Sequence, residues 1–283
     1  MTVYISTGGY SNVSADKSVK DLIENGITSI ELSGGLHTPD LIDNLFKNKE
    51  KAKFQIHNYF PPPKNPFVVN LASLDNDVAN QSLEHIKNAL QCCARLGSKY
   101  YSFHAGFLCD IKVSELGARV QKRELYDRKK SKDLFLERIL RISNIAKNLD
   151  IQLMIENNVF SKRNKMEFED NPFLMCDSNE CLQLIKQTPK NVKLLIDVAH
   201  LKVSANSLNF DPNEMMVDCQ NYIGGYHLSD NDGLSDTNAT FDKNAWFWEY
   251  IRKDLNYYSI EVYHLPIIEM RKLKEMVEKK LQK

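Results

Sequence analysis

One short stretch, residues 194–200, combines an aliphatic run with two side chains that can do chemistry. Leu-Leu-Ile leads directly into Asp197, and His200 follows three residues later, at the predicted start of the next loop. An aliphatic run of this kind is typical of a buried parallel strand, and an acid at its last position can turn toward a cleft. A carboxylate inside the run would be costly to bury without a partner or a metal ion. We therefore interpret Asp197 as a functional residue at a strand end.

Five other strand-like runs end in the same way, with an acid or a histidine after apolar residues. These ends are Glu156, His227, Glu261, His57 and His104. With Asp197, the first three make a set of three carboxylates and one imidazole, an oxygen-rich combination that suits Mn²⁺, Mg²⁺ or a similar divalent ion. The sequence therefore predicts one metal ion bound by Glu156, Asp197, His227 and Glu261.

A second, nitrogen-rich group accompanies this set. His57 and His104 end the third and fourth strands, and together with Glu156 they are candidates for a second ion, for which zinc would be favoured. His200 is either a further ligand or a partner for a substrate hydroxyl. Asp236 lies in the loop after the seventh strand and can take part in the site together with His200. The remaining histidines, His37, His85 and His264, lack the strand-end setting and are expected to have no such role.

Eight short β-type segments alternate with amphipathic helical segments along the chain. The predicted strands are residues 2–6, 29–33, 54–59, 99–105, 151–157, 192–197, 222–228 and 257–262. The predicted helices are 16–25, one opening at 38–40, 77–96, 131–149, 178–187, a short one within 203–218, 245–254 and 266–281. This alternation predicts a (β/α)8 TIM barrel, with residues 1–283 forming a single domain. A doubly wound open sheet is the alternative, but Gly8-Gly9 matches its Gly-rich phosphate turn poorly.

The barrel explains how the strand-end residues could meet, because the C-terminal ends of all its strands face one cleft. Glu31 ends the second strand and faces the same mouth, but that strand is distant from strands five to eight. We expect Glu31 to order a hydrogen-bond network instead of binding the metal. Segments 106–128 and 160–177 have weak or no periodicity and are predicted to be loops over the site that set substrate choice.

Composition narrows the class of protein and its partners. The 283 residues are 42% hydrophobic, which is enough for a substantial core, and 37 Lys and Arg balance 37 Asp and Glu. The absence of net charge argues against non-specific attraction to nucleic acid or to an anionic membrane. No apolar run approaches the roughly 20 residues needed to span a bilayer. The six cysteines form no Cys-x-x-Cys pair and the first residues are unlike a signal peptide, so we expect a cytoplasmic protein with reduced thiols.

The strand-end motifs resemble those of the xylose isomerase-like barrel superfamily. They are Ile-Glu-Asn-Asn at 155–158, Asp-Val-Ala-His at 197–200, His-Leu-Ser-Asp-Asn-Asp-Gly at 227–233 and Ile-Glu-Val at 260–262. That superfamily includes sugar isomerases and epimerases as well as endonuclease IV type abasic-site nucleases. In its epimerase members, equivalent residues hold one divalent metal. The resemblance therefore implies that the metal ligands of this chain would be Glu156, Asp197, His227 and Glu261. The two glutamates would exchange the substrate proton, and His200 would contact substrate.

A second group of motifs is similar to the nuclease branch. It comprises Asn-Leu-Ala-Ser at 70–73, Leu-Gly at 96–97 and His-Ala-Gly at 104–106. Nucleases of this branch use three zinc ions, with equivalents of His57 and His104 among the ligands and an Asp-x-His in the loop after strand seven. Here that loop has Asp236-Thr237-Asn238, so the last ligand is replaced by an amide, and a proline-rich insertion at 61–66 separates His57 from residue 70.

We therefore predict a divalent-metal-dependent sugar or sugar-phosphate isomerase or epimerase with a small-molecule substrate. Catalysis would remove a proton next to a carbonyl, with Glu156 and Glu261 as base and acid on opposite faces of an enediolate. The alternative is a metal-cluster phosphodiesterase that cleaves abasic DNA. A metal-binding barrel without catalysis is the third hypothesis. The sequence leaves open which sugar and which of Mn, Mg or Zn is bound, and whether the protein is a homo-oligomer.

Overall fold

Eight parallel strands close into a barrel in the computed structural model, which describes residues 1–10 and 12–282. The strands follow the order of the sequence, so each is hydrogen-bonded to the next, and the last pairs with the first. They are β1 Val3–Ser6, β2 Ser29–Leu32, β3 Lys53–His57, β4 Tyr100–His104, β5 Gln152–Glu156, β6 Val192–Asp197, β7 Ile223–Leu228 and β8 Tyr258–Ile260. The predicted (β/α)8 TIM barrel is confirmed.

Nine α-helices lie on the outside of the barrel or over its mouth within the described part of the chain. They are α1 Ala15–Glu24, α2 Leu41–Phe46, α3 Asn76–Leu96, α4 Arg128–Asn148, α5 Lys162–Glu167, α6 Ser178–Ile185, α7 Val198–Leu208, α8 Pro212–Asp218 and α9 Ile267–Gln282. Helix α3 shows why they begin and end where they do. The Asp75 side chain accepts hydrogen bonds from Asp77 N and Val78 N, and Gly97 ends the helix with a φ of 74°.

The core has three parts. The largest packs the helices against the outer face of the strands, with fully buried residues such as Leu22, Ile86 and Ile142. A small cluster of Tyr4, Met154, Leu195 and Tyr257 fills the interior of the barrel. A third cluster lies under the long segments that cover the mouth and includes Phe107, Val120, Phe160, Phe168 and Phe173. The site is thus held between a rigid barrel and a separately packed cover.

We call the two covering segments, residues 105–127 and 157–177, the roof. They are joined to each other by a bridge between Phe107 and Phe173 and by a hydrogen bond of 2.9 Å from Val120 N to Asn164 Oδ1. The Arg119 guanidinium and the Glu167 carboxylate, 2.6 Å apart, add an ion pair. Backbone hydrogen bonds from Leu108 N to Pro172 O and from Leu174 N to Gly106 O, 2.7 and 3.0 Å long, flank the bridge. Polar and apolar contacts therefore hold the roof together.

Three sequence-based predictions of local structure were wrong. His200 does not lie in a loop, because Asp197 accepts a hydrogen bond from His200 N and so starts α7 directly at the end of β6. Residues 160–177 include α5, which Ser161 caps. The predicted helix 245–254 is only a 3₁₀ turn at Trp246–Glu249, in which aromatic packing among Phe241, Phe247 and Trp248 replaces a helical face.

No α-helix among residues 1–10 and 12–282 is long and apolar enough to cross a bilayer.

Gly225 in β7 lets the ring of Tyr257 enter the barrel. The register between β6 and β7 shifts next to it, and a Cβ atom at residue 225 would clash with Tyr257 Cδ1 and lie 2.9 Å from the Tyr257 carbonyl oxygen. A larger side chain must therefore displace either the ring or the strand.

We predict that Gly225→Ala lowers the free energy of unfolding by about 1–3 kcal/mol, because the added methyl overpacks a closed interior. Gly34→Ala is the control: a Cβ there meets nothing within 4 Å, so the change should stay within about 0.5 kcal/mol. Urea denaturation of the two variants measures both. Equal stabilities would contradict the tight packing at Gly225.

Candidate metal centre

Four consecutive strands bring the predicted ligand set together. Glu156 ends β5, Asp197 ends β6, His227 lies near the end of β7, and Glu261 follows β8. One ligand atom from each lies within 4.8 Å of the others. His227 Nδ1 is 2.8 Å from Glu261 Oε2, 3.2 Å from Glu156 Oε1 and 3.8 Å from Asp197 Oδ2. The side chains thus converge on a common point.

Several atoms at this point lack the hydrogen bonds that buried polar atoms normally have. Glu156 Oε1 and Oε2, Asp197 Oδ2 and His227 Nδ1 are buried without a hydrogen-bond partner among the described residues. These three residues have no solvent-exposed surface, and Glu261 is 8% exposed. Buried carboxylates need a positive charge nearby, and oxygen atoms with one imidazole nitrogen are suitable ligands for a divalent ion. The donor set therefore fits a metal ion.

The second predicted group lies beside the first and shares Glu156 with it. His57 Nε2 and His104 Nδ1 are each 3.4 Å from Glu156 Oε2, and the three ligand atoms lie within 4.8 Å of one another. His200 Nδ1 is 3.5 Å from Glu156 Oε1, while its Nε2 is 3.2 Å from Asp236 Oδ2. All eight predicted site residues therefore meet in one place. His37, His85 and His264 are not part of either group.

The protein environment shifts the pKa values in a way that reflects the concentration of negative charge. Burial raises the pKa of Asp197 to about 7, and the nearby carboxylates of Glu156 and Asp236 act in the same direction. Burial also lowers the pKa of His104 to about 4, which leaves its imidazole neutral near neutral pH and able to offer a lone pair. By contrast, burial opposes protonation of His227, yet Glu31, Glu156 and Glu261 hold its pKa well above the usual value. A cation at the acidic cluster would offset this concentration of negative charge.

A cavity of about 470 Å³ opens above these residues. Glu261, His57, His104, His200 and Asp236 line its floor, whereas Glu156, Asp197 and His227 lie directly behind them. The roof supplies the opposite wall through apolar residues that include Ile111, Leu116, Val120 and Phe173. Arg163 is the one Lys or Arg side chain among the described residues that line it. The volume is in the range of small-molecule sites.

Glu31 is much closer to the predicted ligands than we expected from its position in the sequence. Its Oε2 atom accepts a hydrogen bond of 3.0 Å from His227 Nε2 and another from the Tyr257 hydroxyl. The expectation that β2 is distant was wrong, because an inward-pointing side chain on β2 reaches across the barrel to β7. The expected role in a hydrogen-bond network agrees with these contacts. Burial opposes ionisation of Glu31, but the charge and hydrogen bond of His227 lower its pKa to about 2.

Two neighbours of Glu261 were not found from the sequence. The Tyr263 hydroxyl donates a hydrogen bond of 3.1 Å to Glu261 Oε1. Gly8 leaves space for this pair, since a Cβ there would lie 2.8 Å from Glu261 Oε1 and 2.9 Å from the Tyr263 oxygen. Tyr263 lies two residues beyond Glu261 and could have been proposed from that spacing, whereas Gly8 had no signal of its own.

Comparison with known proteins places the chain in a family. A family model described as "Xylose isomerase-like TIM barrel" matches residues 19–271. No curated protein matches the sequence.

Solved structures share the fold at low sequence identity. A D-tagatose 3-epimerase-like protein is 20% identical, with a TM-score of 0.74 over 100% of this chain and 97% of its own. D-psicose 3-epimerase from Clostridium cellulolyticum, solved with D-tagatose, is 12% identical, with a TM-score of 0.64 over 100% of this chain and 96% of its own. The IOLI protein with a bound zinc atom is 13% identical, with a TM-score of 0.67 over 99% of this chain and 96% of its own.

We predict that Asp197→Ala removes most of the divalent metal from purified protein, because the change deletes a charged ligand candidate. The control is Asp211→Ala. Asp211 also caps a helix, α8, but is not one of the clustered residues, so this variant loses only a cap. Elemental analysis after dialysis gives the metal content of each. Unchanged content in Asp197→Ala, or an Asp211→Ala variant that loses as much, would contradict the assignment.

Proposed function

This chain belongs to the xylose isomerase-like TIM barrel family, and from that premise we propose that it is a divalent-metal-dependent isomerase or epimerase of a sugar or sugar phosphate. The observation that carries the proposal is the position of the acidic cluster at the floor of a small, covered cavity, with Glu261 lining it and the other three residues directly behind. We propose further that the whole chain, residues 1–283, acts as one domain. The similarity of the fold to a D-tagatose 3-epimerase-like protein and to D-psicose 3-epimerase supports this class of reaction.

The cavity itself favours a small polyhydroxylated molecule. At about 470 Å³ it is large enough for a sugar but not for a duplex, and the roof limits access from above. Carboxylates and imidazoles on the floor can accept hydrogen bonds from several hydroxyl groups. The apolar wall formed by residues such as Ile111 and Phe173 can pack against the carbon-bound hydrogens of a sugar face.

In the proposed reaction, Glu261 and Glu156 exchange a carbon-bound proton of the substrate. Glu261 lines the cavity, so we assign it the removal of the proton, and its hydrogen bond from Tyr263 holds the carboxylate in place. Glu156 is the second carboxylate and returns a proton from the other side. A metal ion bound by Glu156, Asp197, His227 and Glu261 would stabilise the negative charge that develops on the substrate oxygen atoms.

His200 is the best candidate for orienting a substrate hydroxyl. Asp236 contacts its Nε2 atom at 3.2 Å, and Asn157 O lies 3.0 Å from its Nδ1 atom, so both nitrogens are held. His104 lies beside it, with ring centroids 5.5 Å apart. His57 and His104 either bind a second ion with Glu156 or contact the substrate. The zinc-bound IOLI structure supports zinc as one candidate metal, with manganese and magnesium as the others.

The group of His57, His104 and Glu156 also favours a second candidate function, a metal-cluster phosphodiesterase acting on abasic DNA. Two features weigh against it. Asn238 Oδ1, at the position where the nuclease motif has histidine, already accepts a hydrogen bond of 3.1 Å from Ser229. Binding of a DNA backbone also needs several cations, and Arg163 is the one Lys or Arg among the described residues that line the cavity.

We predict that the protein catalyses exchange of a carbon-bound proton of a ketose or aldose with solvent, and that Glu261→Gln abolishes this exchange. Glutamine keeps the size of the side chain and loses the base, so the rate should fall by at least about 10²-fold even where metal remains. Deuterium incorporation into a sugar and sugar-phosphate panel in D₂O is measured by NMR. Glu249→Gln, an exposed site outside the cavity, is the control.

The same preparation is incubated with an abasic duplex. Strand scission at catalytic rates, with no deuterium entering any sugar, would replace the isomerase proposal with the nuclease. If exchange persists in Glu261→Gln, the proposed class of reaction stands, but a residue other than Glu261 must remove the proton.

A further inference from the structure

We propose that Glu31, through a single chain of hydrogen bonds, determines which ring nitrogen of His57 and of His227 faces the acidic cluster without a proton. This inference rests on the proposed function, because it makes Glu31, Tyr257 and Ser102 positioning residues for two candidate metal ligands. None of the three is within the ligand groups themselves.

The chain runs through the interior of the barrel beneath the site. His57 Nδ1 is 2.9 Å from Ser102 Oγ, which is 3.3 Å from the Tyr257 hydroxyl. That hydroxyl donates to Glu31 Oε2, the same atom that lies 3.0 Å from His227 Nε2. All five side chains are at most 3% exposed. The two histidines, on β3 and β7, are thus connected through one carboxylate on β2.

Counting protons gives every bond in this chain a direction. An ionised carboxylate only accepts, so Tyr257 gives Glu31 its single hydroxyl proton. The Tyr257 oxygen can then only accept from Ser102, which uses the one proton of that serine. Ser102 must in turn accept from His57, whose Nδ1 therefore carries a proton. From the other side, His227 Nε2 donates to Glu31 directly.

When each histidine carries a single proton, as a metal ligand must, its lone pair lies on the opposite nitrogen, toward the acidic cluster. For His57 this is Nε2, 3.4 Å from Glu156 Oε2, and for His227 it is Nδ1, 2.8 Å from Glu261 Oε2. A metal-binding histidine commonly donates its other N–H to a carboxylate, which fixes the ring and its tautomer. Here one carboxylate does this for two histidines, directly for His227 and through two hydroxyls for His57.

Gln55 offers a matched control inside the same barrel. It is the register partner of Glu31 on β3 and is 4% exposed. Its side chain bonds to Tyr4, Ser98 and the Tyr100 amide, and to neither site histidine. Gln55→Leu therefore removes a buried polar network at the same level of the barrel without touching the chain of donors.

The experiment records long-range ¹H–¹⁵N correlations of the histidine rings, in metal-free protein at alkaline pH and in Zn²⁺-loaded protein. In the wild type we expect the proton of His57 on Nδ1 in both forms and, in Zn²⁺-loaded protein, the single proton of His227 on Nε2. In metal-free protein Glu31, Glu156 and Glu261 favour a second proton on His227, because they hold its pKa well above the usual value. Tyr257→Phe should disturb the tautomer of His57 alone, because Ser102 is then free to donate to Nδ1. Glu31→Leu should disturb both rings, and Gln55→Leu neither.

Metal affinity gives a second readout, measured by competition of Zn²⁺ or Mn²⁺ with a chelator. We expect Glu31→Leu to weaken binding by about 10–100-fold. Glu31→Gln keeps an acceptor oxygen and should restore both tautomers. If Glu31→Leu does not fold, Glu31→Gln is the variant in which the tautomers and the metal affinity are measured. Gln55→Leu should change thermal stability but not affinity.

Two results would overturn the inference: a wild-type ring whose single proton lies on the cluster-facing nitrogen, or equal effects of Gln55→Leu and Glu31→Leu on the tautomers. The failure of the proposed function has a different signature. If the wild type binds no divalent ion, the metal assignment is lost, while the spectra of metal-free protein still test the chain of donors.

Discussion

The burial of negative charge at one end of the barrel is the constraint on which the rest of the site depends. Glu31, Glu156 and Asp197 have no exposed surface and Glu261 has little. Carboxylates in a low-dielectric interior repel one another and lose hydration, so they persist only with compensating donors or a cation. One oxygen of Glu31, Oε2, accepts hydrogen bonds from His227 and Tyr257, whereas neither oxygen of Glu156 has a hydrogen-bond partner among the described residues. A divalent ion held there would supply the positive charge that the surrounding residues do not.

The sequence predicted the strand-end residues well because a parallel barrel converts position along the chain into position around a circle. Once β5 to β8 are recognised, Glu156, Asp197, His227 and Glu261 must be neighbours. What sequence reasoning missed was contact across the barrel, between Glu31 on β2 and His227 on β7. Such contacts depend on the diameter of the barrel and on which side chains fill its interior, and neither follows from the spacing of apolar residues.

Local structure over the mouth was less predictable, for a related reason. Helix α7 begins one residue after Asp197 because that carboxylate also caps it, so one side chain serves the site and the fold at once. Helix α5 has little intrinsic periodicity and depends on its cap and on Asn164, which is buried in the roof. Tertiary contacts decide such short elements more than propensity does.

The roof is packed on its own small cluster, and its two segments are joined by an aromatic pair, an ion pair and several hydrogen bonds, two of them between backbone groups. Separating the segments would break these contacts but leave the eight-stranded barrel closed, so such local opening would cost less free energy than global unfolding. An opened roof would let molecules enter and leave while the strand ends stay fixed. The time that a ligand stays bound would then depend on the roof, whereas the reaction itself would depend on the residues at the floor of the cavity.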